Sequence, residues 1–486
     1  SREETFCNTR TRHSIEFDLA AGVDKDGRLL AKDMHSYSNQ GAYASHGHAI
    51  AANGLTSWRL QYACPNIRGE AYTIYTNTPV GGAMRGYGIP QVCFAIESFM
   101  DDVANEIHMD PLEFRRKNLI QGYYEDAYLK PIAANTNGIF ECLEKGAEYI
   151  HWDEKRKEYA EQTGDVRKGV GMALFSYKTG VWPISLEIAG ARLSLNQDGS
   201  VQLMLGATEI GQGADTVFSQ MVAETLHTDM EHVHIKTVQD TDVSPFDTGA
   251  YASRQSLVTG TAVRHCAEIL RDKILAYAKT LLPEIDTREL TLKDNWIWAG
   301  DEQVISLAAL AEESYYSLTN SSVLTAEVSE QVKKNTIATG CCFAEVEVDI
   351  KLGKIKILHI INVHDSGKLL NPQLAEMQVH GGMSMGMGYG ISEQLILDEK
   401  TGRPLNGNLL DYKLMTMLDT PDIKADFVEL CDPMGPYGNK ALGEPPAIPC
   451  APAIRNAVLH ATGVAFYENP LTPQRLIDGF QKAGLI

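Results

Sequence analysis

The stretch "AEVEVDIKLGKIKILH", Ala344 to His359, alternates apolar and polar residues on both sides of one glycine. Ala344, Val346, Val348 and Ile350 precede Gly353, and Ile355, Ile357 and His359 follow it. Period-two alternation across a glycine predicts two antiparallel strands joined by a tight turn. The form recurs. Ile15, Phe17 and Leu19 lead into Asp26-Gly27, while Leu193 and Leu195 lead into Asp198-Gly199, with Val201, Leu203 and Leu205 beyond. Between these hairpins lie helical patterns. "VCFAIESFMDDVANEIHM" places Ile96, Phe99, Met100, Val103 and Ile107 on one face. "DPLEFRRKNL" offers Asp110 as N-cap and Pro111 as first helical residue. "TAVRHCAEILRDKILAYAKTLL" is a third helix. Hairpins interleaved with helices predict an α+β protein of mixed sheets with packed helices, not a doubly wound sheet. A chain of 486 residues exceeds one simple core. The polar segment from His151 to Lys168 marks the expected boundary between a first domain, 1–150, and a second, 151–486.

The formal net charge of −20 argues against a nucleic-acid surface. No apolar run approaches the roughly 20 residues that span a bilayer. The opening "SREETFCNTRTRHSIEF" is polar and charged, unlike a secretory leader, and its first residue is not Met, as expected of a piece of a longer polypeptide. Nine cysteines are scattered without a C-x-x-C pair, which fits reduced thiols in a cytoplasmic protein and no iron–sulfur or structural zinc site on this chain.

Four glycine-rich turns carry candidate chemistry. In "NTPVGGAMRGYGIPQ", glycines 81, 82, 86 and 88 surround Arg85; glycine permits close backbone approach and arginine grips oxyanions. In "GATEIGQGADTVFSQ", Gly211-Gln212-Gly213 opens a helix whose N-terminal amides suit a phosphate, although the third glycine of a dinucleotide fingerprint is missing. "GAYASRQSLVTGTAV" sets Ala252, Ser253 and Gln255 in a small-residue turn. In "AEMQVHGGMSMGMGYGISE", Gln378 precedes a glycine- and methionine-rich run. Tight turns and close helix packing explain each of these singly. Met383, Met385 and Met387 read as packing residues, and His46 and His48 as hydrogen-bonded structure, not metal ligands. Last comes "ALGEPPAIP", Ala441 to Pro449. The residue before a proline is pushed out of the helical region and each proline removes an amide donor, so Glu444 reads either as a solvated loop acid or as a positioned base.

Taken in order, "SREETF…TRTRH", "AMRGYGIPQ", "EIGQGADTVFSQMVAE", "FDTGAYASRQS", "NVHDSGKLLNP…QVHGGM" and "LGEPPAIP" resemble the molybdenum-binding subunit of the xanthine dehydrogenase and aldehyde oxidase family. The chain is most similar to bacterial xanthine dehydrogenase molybdenum subunits, in "NQGAYASHGHAI" and "LEIAGARLSLNQDG" as well. The resemblance implies elongated molybdenum-cofactor-binding domains and a molybdenum held through a pterin, as molybdopterin or its cytosine dinucleotide. It implies oxidative hydroxylation of a purine such as hypoxanthine or xanthine with water as oxygen source, and electrons passed to [2Fe-2S] clusters and FAD on partner chains in a larger heteromeric assembly. It makes Glu444 the general base that deprotonates a metal-bound hydroxide. It places Arg85, Gly211, Gln212, Ala252, Ser253, Gln255, Gln378 and Gly443 around the cofactor, and Tyr87, Asn53 and Trp182 around the substrate, with no protein side chain ligating the metal. Tyr87 stands where relatives have Phe, and Asn53 where vertebrate xanthine oxidases have an arginine, which leaves a nicotinate-like heterocycle, an aldehyde or a selenium-dependent reaction as second readings. The family's upstream "GGGFGG" loop is not in this sequence, so the chain is expected to be the C-terminal part of the subunit, and a cofactor-free assembly partner is the reading from another class.

Overall fold

The computed structural model describes every residue except 123, 126–130, 133–135, 237 and 286–289, and gives only the backbone of 131 and 132. The opening hairpin is the spine of its central sheet. Ile337–Asp349 and Lys354–Asp365 pair antiparallel from Asp349 opposite Lys354 to Thr339 opposite Asp365. The strands run further than their alternation suggested. Alternation marks a strand with one wet face, and the inner part of Ile337–Asp349 is buried on both faces, so its pattern fades into a continuous apolar run. Val166–Lys178 flanks it on one side; on the other, Asp422–Phe427 pairs with Lys354–Asp365 in parallel, giving four strands.

Each face of this sheet meets helices. Val170, Met172, Leu174, Cys341, Phe343, Ile361 and Val363 pack with Cys142, Leu143 and Ile150 of helix Ile139–Ile150. Ala173, Cys342, Ala344 and Ile360 pack with Ile454, Ala457 and Val458 of helix Cys450–Thr462 and with Val379, Met383 and Met387 of helix Pro372–Ile391. Gly169 and Gly171 explain the tightness of that second contact: a Cβ on either would sit 2.1 Å from the backbone of Ala457. The first packed cluster draws on residues from both sides of position 150.

A second four-stranded sheet orders Thr325–Gln331, Ile188–Leu195, Val201–Leu205 and Val233–Lys236 and is covered by helices Ala214–Leu226 and Gln255–Leu281. The strands from Ile15–Val23, Leu29–Gly41 and Asn66–Tyr75 form a further sheet. The expected helices are present. Ile89–Glu106 forms an amphipathic helix, and Asp110 caps Pro111–Asn118 by accepting from Leu112 N at 2.9 Å and Glu113 N at 3.1 Å. The third begins earlier than its apolar pattern indicated, at Gln255. Among the described residues no helix is long and apolar enough to cross a membrane, and all nine cysteines are free. The architecture is the expected α+β arrangement of mixed sheets with packed helices.

Candidate functional site

Glu444 lies between the two halves of this architecture. It precedes a single helical turn, Pro445–Ala447, which packs against helix Pro372–Ile391: a Cβ on Gly382 would come 2.4 Å from Cβ of Pro446. Gly382 is therefore glycine because the Glu-Pro-Pro turn presses against the helix there, and Met383 and Met387 are fully buried packing residues. One expectation is corrected. Glu444 has φ −97° and ψ −35°, inside the helical region although Pro445 follows. Contacts override the local bias: Glu444 N donates to Ser253 Oγ at 2.9 Å, and Ala447 N donates to Glu444 O at 3.3 Å.

The carboxylate is held on both oxygens. Ala252 N donates to Oε1 at 3.1 Å, and the Tyr177 hydroxyl donates to Oε2 through a short hydrogen bond. Tyr177 is 2% exposed, at the end of strand Val166–Lys178. Glu444 keeps some accessible surface but is surrounded by protein, and this burial raises its pKa above the ordinary carboxylate value; the Tyr177 hydroxyl, the Ala252 amide, the Arg85 charge and the Gly86 amide oppose the rise only in part. Burial also raises the Tyr177 phenol well above its ordinary value, and the Glu444 charge adds to the effect. The hydroxyl is thus a proton donor at any working pH.

Arg85 is near this carboxylate but does not pair with it. Its Nε donates to Gly443 O at 2.6 Å, and its Nη2 donates to Gln378 O at 3.0 Å and Gln378 Oε1 at 3.3 Å. These bonds bring Arg85, Gln378 and Gly443, far apart in sequence, into one cluster. Burial lowers the Arg85 pKa and the Glu444 charge offsets part of that, but an arginine remains charged. Its backbone is held in turn by Arg12, whose Nη2 donates to Arg85 O at 3.0 Å.

The turn from Gly249 to Gln255 holds two consecutive residues in left-handed backbone, Ala252 at φ 50° and Ser253 at φ 49°. For non-glycine residues such a conformation costs about 1–3 kcal/mol each and survives only where its surroundings enforce it. Arg254 does so. Fully buried, it pairs with Glu187 and Asp247 and donates to the carbonyls of Gly249 at 3.0 Å and Ile188 at 2.9 Å. Glu187 also accepts from Val181 N, and Gly180 N donates to Ala252 O at 2.9 Å, so the loop carrying Trp182 is tied to the same turn. Gln255 and Gln212 form one unit: Gln212 Nε2 donates to Gln255 Oε1 at 2.7 Å and to Thr208 O at 2.8 Å.

The helix N-terminus expected to receive a phosphate is already filled. Glu209 accepts from Gly211 N at 2.6 Å, Gly213 N at 3.1 Å and Asp215 N at 3.2 Å. The acid two residues before Gly211 was visible in sequence, but acidic residues stabilise helix starts as readily as ligands do. Gly211 itself faces open space; a Cβ there would meet nothing within 4 Å.

Tyr87 reaches the cluster differently. It has φ 47°, and its hydroxyl is 2.8 Å from His46 Nδ1, with His46 Nε2 3.2 Å from Arg10 Nη1. Its carbonyl accepts from Asn53 Nδ2 at 2.9 Å, so the Asn53 amide holds the backbone of Tyr87. His48 bonds to Thr73, and among the described residues no group of His, Cys, Asp and Glu could hold a metal ion. Tyr177, Arg254, Arg12 and Glu209 escaped the sequence reading.

The donor set fits an anionic, bulky cofactor. Arg85 directs a guanidinium whose Nη1 takes no partner among the described residues, Gly211 opens room beside the Gln212–Gln255 pair, and the Glu444 carboxylate retains unused lone pairs.

Known proteins share this framework. Two family profiles, both described as "Molybdopterin cofactor-binding domain", match residues 1–119 and 145–421. The xanthine dehydrogenase molybdenum-binding subunit of Escherichia coli O157:H7 is 48% identical over 100% of this chain, which spans 65% of that protein's length. A protein of Escherichia coli K12 named "Probable hypoxanthine oxidase XdhD" is 31% identical over 99% of this chain and 50% of its own length. The crystal structure of quinoline 2-oxidoreductase from Pseudomonas putida 86 superposes with a TM-score of 0.91 at 23% identity, covering 99% of this chain and 64% of that one.

Proposed function

The chain belongs to the molybdopterin cofactor-binding family of xanthine dehydrogenase and aldehyde oxidase molybdenum subunits, and from that premise we propose that it forms most of the catalytic subunit of a molybdenum hydroxylase acting on a purine such as hypoxanthine or xanthine. The observation that carries this reading is convergence. Three turns and one helix from distant parts of the sequence supply Arg85, the Ala252-Ser253 pair, Gly443-Glu444 and Gln378 to one cluster. A scaffold has no use for a half-satisfied carboxylate beside an arginine whose Nη1 takes no partner among the described residues.

Arg85, Gln212, Gln255 and Gln378 would hold the molybdopterin, with Gly211, Ala252, Ser253 and Gly443 leaving room for its close approach. When bound, that group would supply two-electron oxidation and an oxygen derived from water. Glu444 receives a proton on a lone pair that neither Tyr177 nor Ala252 occupies; its raised pKa suits a base at neutral pH. Tyr87 and Trp182 provide aromatic surface for a flat heterocycle, while Asn53 acts on substrate indirectly, through the Tyr87 backbone. Electrons leave to [2Fe-2S] and FAD carriers on partner chains of a cytoplasmic assembly. The likeness to proteins named for xanthine and hypoxanthine supports the purine.

The test is made on the assembled enzyme. Molybdenum close to one per chain, release of a pterin or its cytosine dinucleotide, and turnover of xanthine or hypoxanthine with an artificial acceptor are expected. Absence of molybdenum from matured enzyme would sink the hydroxylase reading, and faster turnover of aldehydes would sink the purine.

A further inference from the structure

Two hydrogen bonds hold Glu444 at both ends. Its backbone N–H donates to Ser253 Oγ at 2.9 Å, and its carboxylate Oε2 accepts from the Tyr177 hydroxyl.

Resting on the reading of Glu444 as the base, we propose that Tyr177 is the positioning residue that fixes the Glu444 carboxylate in one rotamer and tunes its proton affinity. The geometry gives it that role over its neighbours. Ala252 N is a backbone donor set by the strained turn and reaches only Oε1. Arg85 spends its Nε and Nη2 on Gly443 and Gln378. The charged and titratable groups whose fields reach Glu444 from the elements packed around it are Arg85, Arg12, Tyr87 and Tyr177; among these four, Tyr177 alone donates directly to the carboxylate. A carboxylate free to rotate about its side-chain single bonds would present its lone pairs to the substrate side only part of the time, so the tether acts on orientation as well as on charge.

The signs follow from the donor's identity. A hydrogen bond to the ionised form favours it, so Tyr177→Phe removes support for the carboxylate and moves its titration to higher pH. The acid limb of kcat/KM moves up with it, and turnover at neutral pH falls on the order of tenfold. Tyr177→Phe keeps the buried ring.

The measurement is an infrared pH titration of the assembled enzyme, with Glu444→Gln identifying the Glu444 carboxylate band by its loss, and with kcat/KM pH profiles in parallel. An upward shift of that band in Tyr177→Phe supports the tether. If the band titrates at the native pH in Tyr177→Phe while Glu444→Gln is inactive, the tether is wrong and the base reading stands. If Glu444→Gln retains native turnover, the base reading is wrong whatever the band does.

Discussion

Glu97 and Glu444 each accept from a buried tyrosine, and their surroundings differ. Glu97 is 0% exposed. Its Oε1 accepts from Gln61 Nε2 at 2.6 Å and Tyr62 Oη at 2.7 Å, and its Oε2 accepts from Arg115 Nε and Leu174 N, both at 2.9 Å. Arg115 in turn binds Asp101 at 2.6 Å and the carbonyls of Pro111 and Glu97. Every strong direction on this carboxylate is spent. Glu444 accepts from Tyr177 on one oxygen and Ala252 on the other, and its nearby arginine is turned toward Gly443 and Gln378. A saturated carboxylate joins helix Ile89–Glu106 to Pro111–Asn118 and to strand Val166–Lys178. An under-saturated one, held but not neutralised, keeps lone pairs for a proton. What separates structure from chemistry here is the number of donors left unspent, not burial.

Substitutions can break or sharpen that contrast. The largest effect on stability is expected at the saturated site. Arg115→Leu strands Glu97 and Asp101 as buried acids without their cation, a loss of about 3–5 kcal/mol, read as a lower denaturant midpoint. If the variant unfolds with the native protein, the cluster is not structural. A smaller loss is expected at Gly382→Ala. The new Cβ meets Pro446 at 2.4 Å, and a proline cannot rotate away, so overpacking costs about 1–3 kcal/mol and displaces Glu444 as well. Native turnover in a destabilised Gly382→Ala enzyme would show that the turn can shift without moving its acid.

Glu444→Gln is expected to cost the fold least. The native carboxyl holds its proton to higher pH than an unfolded one does. Between the unfolded and folded values the native state binds more protons, so this group lowers stability as pH rises through that window, and the deficit persists above it. Removing the charge relieves the deficit. Glu444→Gln should melt no lower than the native protein near neutral pH, and the difference should vanish below the unfolded carboxylate range. A fall in melting temperature at neutral pH would place Glu444 in the same class as Glu97.

How much of this was legible in the sequence varies with the range of the interaction. Asp110 and Pro111 announced their helix because a cap acts over three residues. The hairpin around Gly353 was legible for the same reason, but only where one face stays wet. The helical start at Gln255 was hidden by the turn before it, which Arg254 forces into shape from Glu187 and Asp247, many residues away. The offer of a helix N-terminus to a phosphate failed on Glu209, an acid whose choice between solvent and the amides depends on the turn's conformation. Tyr177 gave no signal, because a tyrosine closing an apolar strand is ordinary until its hydroxyl is seen to meet residue 444.

The sequence by itself determined the element types, the ordered motifs that identify the family, and the stiff turn that carries Glu444, since these depend on local sterics, periodicity and motif order. Only the tertiary structure decided what Glu444 experiences: Tyr177, Ala252 and Ser253 reach it from 267, 192 and 191 positions away. Proton affinity is set by burial and by the donors that surround a group in space, and no local pattern in a chain encodes which distant donors will arrive.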